Sequence, residues 1–111
     1  MQKVTALYSR SARDNQQSVN NQKAKLEKYC KDNDIVNFKH YIDNNESGST
    51  LNRPLLNELF KDLNDEKIDK IIITSVIRIS RDISNPFETM ELFLKTQAPE
   101  VITLDELYNI E

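Results

Sequence analysis

Residues 70–76, which read Lys-Ile-Ile-Ile-Thr-Ser-Val, are apolar on both faces of an extended chain. A strand with that pattern has no solvent side and belongs inside a parallel sheet covered by helices on both faces. Parallel neighbours need crossover connections, so strands and helices must alternate along the chain. Residues 3–8 read as a first strand, with a polar loop at 9–17 and Ser18 as the cap of a helix reaching about Asp32. Val19, Leu26, Tyr29 and Cys30 form that helix's apolar face. Residues 37–42 alternate Phe38, His40 and Ile42 against Lys39 and Tyr41, a second strand, and a loop follows at 43–52. Pro54 suits a first helical turn, and Leu55, Leu56, Leu59, Phe60 and Leu63 carry a helix over about 53–64. A loop at 77–84, a third helix over 85–96 with Phe87, Met90, Phe93 and Leu94 inward, and a last strand over 100–104 complete the order. The fold class expected is α/β: a parallel sheet of four or five strands with helices on both faces, in one domain spanning residues 1–111.

The 111 residues are enough for one core without staples. The single cysteine, Cys30, excludes an internal disulfide and reads as a small buried hydrophobe in a reducing compartment. No apolar run is long enough to span a bilayer and no secretory leader is evident, so a soluble, cytoplasmic protein is expected, with no membrane partner. A net charge of −3 argues against binding nucleic acid by bulk electrostatics, which leaves local contacts. Gly48 is the only glycine, and it marks the turn expected to need one.

The chain has five arginines, Arg10, Arg13, Arg53, Arg78 and Arg81, against ten lysines. All five fall in expected loops or at helix starts. In a parallel α/β sheet the loops after the strands converge on one rim. Arginine offers a planar fork of donors matched to phosphate oxygens, whereas lysine is a point charge. Several forks on one rim suit a phosphodiester, whose non-bridging oxygens gain charge in the transition state of its transfer. Singly, each arginine also reads as an ordinary surface ion pair of small worth.

Tyr8-Ser9-Arg10 followed by Gln16 and Gln22, then Tyr41-Ile42-Asp43 with Ser47-Gly48 and Arg53-Pro54-Leu55, then Ile68-Asp69, and finally Arg78-Ile79-Ser80-Arg81-Asp82 resemble, in order and spacing, the catalytic domain of the serine recombinases. The likeness extends over nearly the whole chain and is closest to the large recombinases of mobile elements, with a short resolvase also compatible. The resemblance implies a resolvase-like three-layer sandwich and site-specific DNA recombination by strand cleavage, exchange and religation. In such enzymes a serine attacks the phosphodiester, forming a phosphoserine link and freeing a 3′-hydroxyl. It implies DNA as partner, self-association as dimer and tetramer in the full-length protein, and no metal or other cofactor. By the same likeness Arg10, Arg53, Arg78 and Arg81 bind and activate the scissile phosphate. Tyr8, Gln16, Gln22, Asp43 and Ser47 support that site.

The chain departs from the family pattern at three points. The nucleophile position, two residues after the first arginine, holds Ala12, which has no oxygen to attack with. Ile77 stands where the family has an aspartate, so a candidate for proton handling is lost. The sequence also stops at Glu111, before the long dimer helix and DNA-binding region of such recombinases. Three readings of Ala12 stay open: an engineered substitution, a naturally degenerate relative, or takeover of the attack by Ser11 or, less readily, Ser9. If the strand continues through these positions, Arg10 and Ala12 share a face and Ser11 points away. The alternative function is a non-catalytic DNA-element binding or regulatory partner of an active recombinase.

His40, the only histidine, reads as a structural imidazole in a strand. Asp62, Asp65, Glu66 and Asp69 read as a solvated helix end. A nucleotide-binding or receiver-like module would need a glycine-rich loop or a carboxylate cluster at the first strand end, and neither is present.

Overall fold

The computed structural model describes residues 3–11, 13–45, 53–75 and 100–104. Within them the order is β1 (Val4–Ser11), α1 (Gln16–Asp32), β2 (Phe38–Asn44), α2 (Pro54–Asn64), β3 (Ile68–Ile73) and β4 (Glu100–Thr103). The four strands form one sheet in the order β2-β1-β3-β4, and every pairing is parallel. The expected third helix over 85–96 lies outside the described residues.

The sheet is covered on both faces, and the period-two alternation of its central strands decides which residue meets which helix. Ala6, Tyr8, Ile71 and Ile73 pack with Leu56, Leu59 and Leu63 of α2. Leu7 and Ile72 pack with Leu26 and Cys30 of α1 on the opposite face. Each such aliphatic side chain contributes about 1.5–3 kcal/mol by leaving water. Cys30 is buried, and its thiol is pushed above its usual value by that burial and by nearby Glu27.

β1 is longer than residues 3–8, because Ser9, Arg10 and Ser11 stay in the sheet as partners of Ile42, Asp43 and Asn44. Backbone pairing at the centre of a sheet outweighs the polar character of those three residues. β3, in turn, covers residues 68–73 rather than 70–76, with Thr74 and Ser75 buried just past its end. The cap of α1 is Asn15, not Ser18: the Asn15 side chain accepts the Ser18 N–H at 3.1 Å, so Ser18 lies inside the first turn.

Tight turns do not wait for glycine in this chain. Asp34, Asn45 and Glu66 take positive φ values of 59°, 68° and 61°. Asp34 follows the end of α1, where Ile35 N–H returns to Cys30 O at 2.8 Å in the manner of a left-handed helix stop. Gly48 lies outside the described residues.

The far end of α2 is tied to β2 by a carboxylate. Asp62 accepts the Tyr41 hydroxyl at 2.6 Å and Lys39 Nζ at 3.4 Å. Burial alone would raise the Asp62 carboxyl, but Tyr41 and Lys39 together hold it below its ordinary value. Asp62 is therefore a buried structural residue and does not belong to a solvated helix end.

Candidate functional site

The carboxyl ends of β1, β2 and β3 place Arg10 and Ser11, Asp43 and Asn44, and Thr74 and Ser75 along one rim. Arg10 and Arg53 are 1% and 0% exposed, and they are the largest of the fully buried side chains. A guanidinium does not give up its proton, so burying two of them is unfavourable unless the surroundings are polar.

Those surroundings begin with Tyr8 and Asp43. Arg53 Nη1 donates to the Tyr8 hydroxyl at 2.9 Å, and that hydroxyl donates to Asp43 Oδ2 at 2.9 Å. Burial, chiefly, keeps the Tyr8 phenol well above its ordinary value of 10.0, with Arg53 partly opposing and Asp43 adding to the rise. The phenol is therefore a neutral relay that accepts from the cation and donates to the anion. Asp43 completes its coordination at the start of α2, where its two oxygens accept the Leu55 and Leu56 N–H groups at 2.9 and 3.0 Å. Arg53 occupies the cap position of α2 but contributes no side-chain cap bond. Asp43 supplies the capping oxygens from another strand, adding its charge where the helix dipole favours an anion.

Gln22 reaches Arg10 through the backbone. Gln22 Oε1 accepts the Arg10 N–H at 3.0 Å, and Gln22 Nε2 donates to Arg10 O at 2.9 Å. β3 pairs with β1 only as far as Leu7, so the Gln22 amide supplies the backbone partners that a neighbouring strand would otherwise give.

Ser11 and Ser9 face the α1 side of the sheet, together with Leu7 and opposite Tyr8 and Arg10. The Ser11 hydroxyl donates to Arg13 O at 2.6 Å, a local turn bond. The Ser9 hydroxyl is buried without a hydrogen-bond partner among the described residues. Gln16 is exposed on the first turn of α1 and donates to Asn20 Oδ1 at 2.9 Å, outside the buried network. Arg13 is exposed as well. Ala12, Ser47, Ile77, Arg78 and Arg81 lie outside the described residues, so the structure brings together Tyr8, Arg10, Gln22, Asp43 and Arg53 of the residues expected at this site.

Two residues that the sequence reading passed over belong to the rim. Asn44 bonds both Asp14 and the Asn15 backbone, and Asn15 caps α1. The available signal was adjacency: Asp43 and Asn44 end an alternating strand, so one must face each side of the sheet. His40 stands apart, its Nε2 2.6 Å from Glu27 Oε2 and its ring edge-on to Phe38. Among the described residues no three His, Cys, Asp or Glu side chains gather to hold a metal ion, and no helix is long and apolar enough to cross a membrane.

The model of the family described as resolvase, N terminal domain, matches residues 5–111. Similar solved structures include the N-terminal catalytic domain of TP901-1 integrase, with a TM-score of 0.81 and 24% identity, covering 92% of this chain and 78% of that one. The C-terminal catalytic domain of ISC1926 TnpA, an IS607-like serine recombinase, has a TM-score of 0.73 and 23% identity, covering 90% of this chain and 66% of that one. A serine recombinase from Sulfolobus solfataricus has a TM-score of 0.71 and 20% identity, covering 94% of this chain and 69% of that one. At these identities the likeness is one of fold. No curated protein matches the chain.

Proposed function

We propose, since the chain belongs to the resolvase N-terminal domain family, that it is the catalytic-type domain of a site-specific recombinase, acting on DNA through strand cleavage, exchange and religation. The observation that carries this reading is the pair of buried arginines on one rim: Arg53, whose guanidinium donates to Tyr8 and through it is linked to Asp43, and Arg10, whose backbone is held by Gln22. Two buried guanidiniums fit the charge that grows on a phosphodiester's non-bridging oxygens. Both are closed off from solvent. Arg78 and Arg81 join the set by the family pattern, with Ser47 in support.

The reaction of such a domain breaks the bond from phosphorus to the 3′-oxygen and forms one to a serine oxygen; the hydroxyl proton is lost and the freed 3′-oxygen gains one. Religation reverses each change, and the phosphoserine bond conserves the energy of the cut. This chain has Ala12 at the attacking position, and the Ser11 hydroxyl is engaged with Arg13 O on the other face. The chain thus holds the residues that bind the phosphate without its own attacking oxygen.

That vacancy favours a second reading, in which the protein binds the same DNA element and regulates an active recombinase through a shared surface. The test is to incubate the full-length gene product with its element ends carrying a nicked suicide site and to search for a covalent DNA adduct by mass spectrometry. No adduct from the chain itself, with an adduct gained in Ala12→Ser and lost again on adding Arg10→Ala or Arg53→Ala, supports the recombinase-site reading. An adduct on Ser11 would make the chain an active recombinase with Ser11 as nucleophile and would overturn the regulatory reading. An inert Ala12→Ser variant that alters cleavage by an active relative leaves the regulatory reading standing.

A further inference from the structure

The last two residues of β2 hold the starts of both helices, one on each face of the sheet. Asp43 turns toward α2 and accepts the Leu55 and Leu56 N–H groups. Asn44 turns the other way, as alternation requires, and reaches the loop between β1 and α1. Asn44 Oδ1 accepts the Asn15 N–H at 3.1 Å, and Asn44 Nδ2 donates to Asp14 Oδ1 at 3.0 Å. Asn15 in turn accepts the Ser18 N–H and caps α1.

The described residues that flank position 12 in the sequence are tethered on both sides. On one side Arg10 is held by Gln22 through both backbone groups, and Ser11 is closed onto Arg13. On the other side Asn15 is held by Asn44. We propose that Asn44 is a positioning residue for position 12, latching the loop of the attacking position to the same strand end that fixes Arg53 through Asp43 and α2. The inference rests on the proposed function for what position 12 does.

An amide is the side chain this latch needs. It must accept from a backbone N–H and donate to a carboxylate at once; an aspartate at 44 would accept but would face the Asp14 carboxylate, and an alanine would do neither. The bonds are exposed or nearly so, which makes them weak supports of folding. Their loss displaces the loop more than it unfolds the domain. Displacements of that kind act on the rate of a positioned reaction far more than on binding, by up to about a hundredfold for a shift of about 1 Å.

The test compares Asn44→Asp, Asp14→Asn and the reciprocal pair in the full-length gene product carrying Ala12→Ser, under single turnover at saturating nicked DNA. Amide exchange at Asn15 is followed in the same proteins. The expected result for Asn44→Asp is a cleavage rate lower by about tenfold or more, unchanged DNA affinity, and faster exchange at Asn15. Combining it with Asp14→Asn moves the amide to position 14 and the carboxylate to 44, where Asn15 N–H is still accepted, so rate and protection both return. Cleavage by Asn44→Asp at the parental rate, or a reciprocal pair that folds with its parental thermal midpoint but does not recover, overturns the proposal. Should Ala12→Ser itself yield no adduct, the functional reading falls, and exchange decides the latch: unaltered protection of Asn15 in Asn44→Asp overturns it, and loss restored by the reciprocal pair sustains it.

Discussion

Arg10 of β1 and Asp43 of β2 are register partners on the α2 face of the sheet, both buried, one at each of two adjacent strand ends. Tyr8 is one pair earlier on the same face, opposite Tyr41, and reaches diagonally to the same Asp43. A single residue thus pairs with Arg10 in the register, is linked to the Arg53 guanidinium through a phenol, and caps the helix that begins after Arg53. Asp43 is the residue on which the rim converges.

Replacing Asp43 separates its roles. Asp43→Ala removes the acceptor for Leu55, Leu56 and Tyr8 together; a lost cap costs about 1 kcal/mol, and a lost hydrogen bond to a charged group about 1.5–3 kcal/mol. A loss of about 3 kcal/mol or more is expected in urea denaturation. Asp43→Asn keeps an acceptor oxygen without the charge and is expected to lose roughly half as much. No loss in Asp43→Asn would show that the charge contributes nothing beside Arg10 and Arg53, whereas equal losses in the two variants would show that the charge carries the whole effect.

The buried tyrosines set the alkaline limit of the fold. Burial, first of all, raises the phenols of both Tyr8 and Tyr41 well above 10.0, with Asp43 and Asp62 respectively adding to the rise. A group whose folded value is raised gives stability that is fully present below the unfolded value and is lost as pH climbs toward the folded one. Unfolding free energy is therefore expected to be level with respect to these two groups below pH 10 and to fall above it. Phenolate absorbance of Tyr8 and Tyr41 should appear together with the loss of far-ultraviolet ellipticity. In Tyr8→Phe the decline should be shallower by one ionisation; an unchanged slope would remove Tyr8 from the account.

Most of the architecture was legible because apolar period decides it. The Ile71-Ile72-Ile73 run of β3, the leucine steps of α2 and the apolar face of α1 each mark the side that is buried. The ends were not legible, because they are decided by partners distant in sequence. Ser9-Arg10-Ser11 reads as loop until Ile42-Asp43-Asn44 is laid beside it. The cap of α2 cannot be found near Arg53, since the capping oxygens come from Asp43, and Asn15 outcompetes Ser18 because it is also latched by Asn44. The resemblance identified Tyr8, Gln22 and Asp43 as supporting residues, but only geometry gives each one a bond. Asp34, Asn45 and Glu66 show the same limit, as turns that a glycine search overlooks.

Ser9 makes a separate prediction about stability. Its hydroxyl is buried with no hydrogen-bond partner among the described residues, and an unsatisfied buried polar group costs about 1–3 kcal/mol. Ser9→Ala removes that group with almost no loss of volume, so a gain of about 0.5–1 kcal/mol is expected in thermal or urea unfolding. A clear destabilisation would mean that the hydroxyl has a partner in solution, and mapping it would then begin with the α1 face.

The last prediction concerns the neighbouring positions 11 and 12. β1 runs to Ser11, so Ser11 projects to the α1 face while Arg10 projects to the α2 face with Asp43 and Tyr8. An oxygen attacking a phosphate at the proposed arginine site has to come from the Arg10 face, the one opposite Ser11. Ser11 already spends its proton on Arg13 O, and Ser11→Ala is expected to cost about 1 kcal/mol of stability through that turn. On a suicide substrate the unmodified protein should form no covalent adduct, Ala12→Ser should form one, and peptide mapping should place it at position 12. Adding Ser11→Ala to Ala12→Ser should leave the adduct at the same position with a lower thermal midpoint. An adduct that disappears with Ser11→Ala would mean that the strand end turns over when DNA binds and that Ser11, not position 12, faces the phosphate.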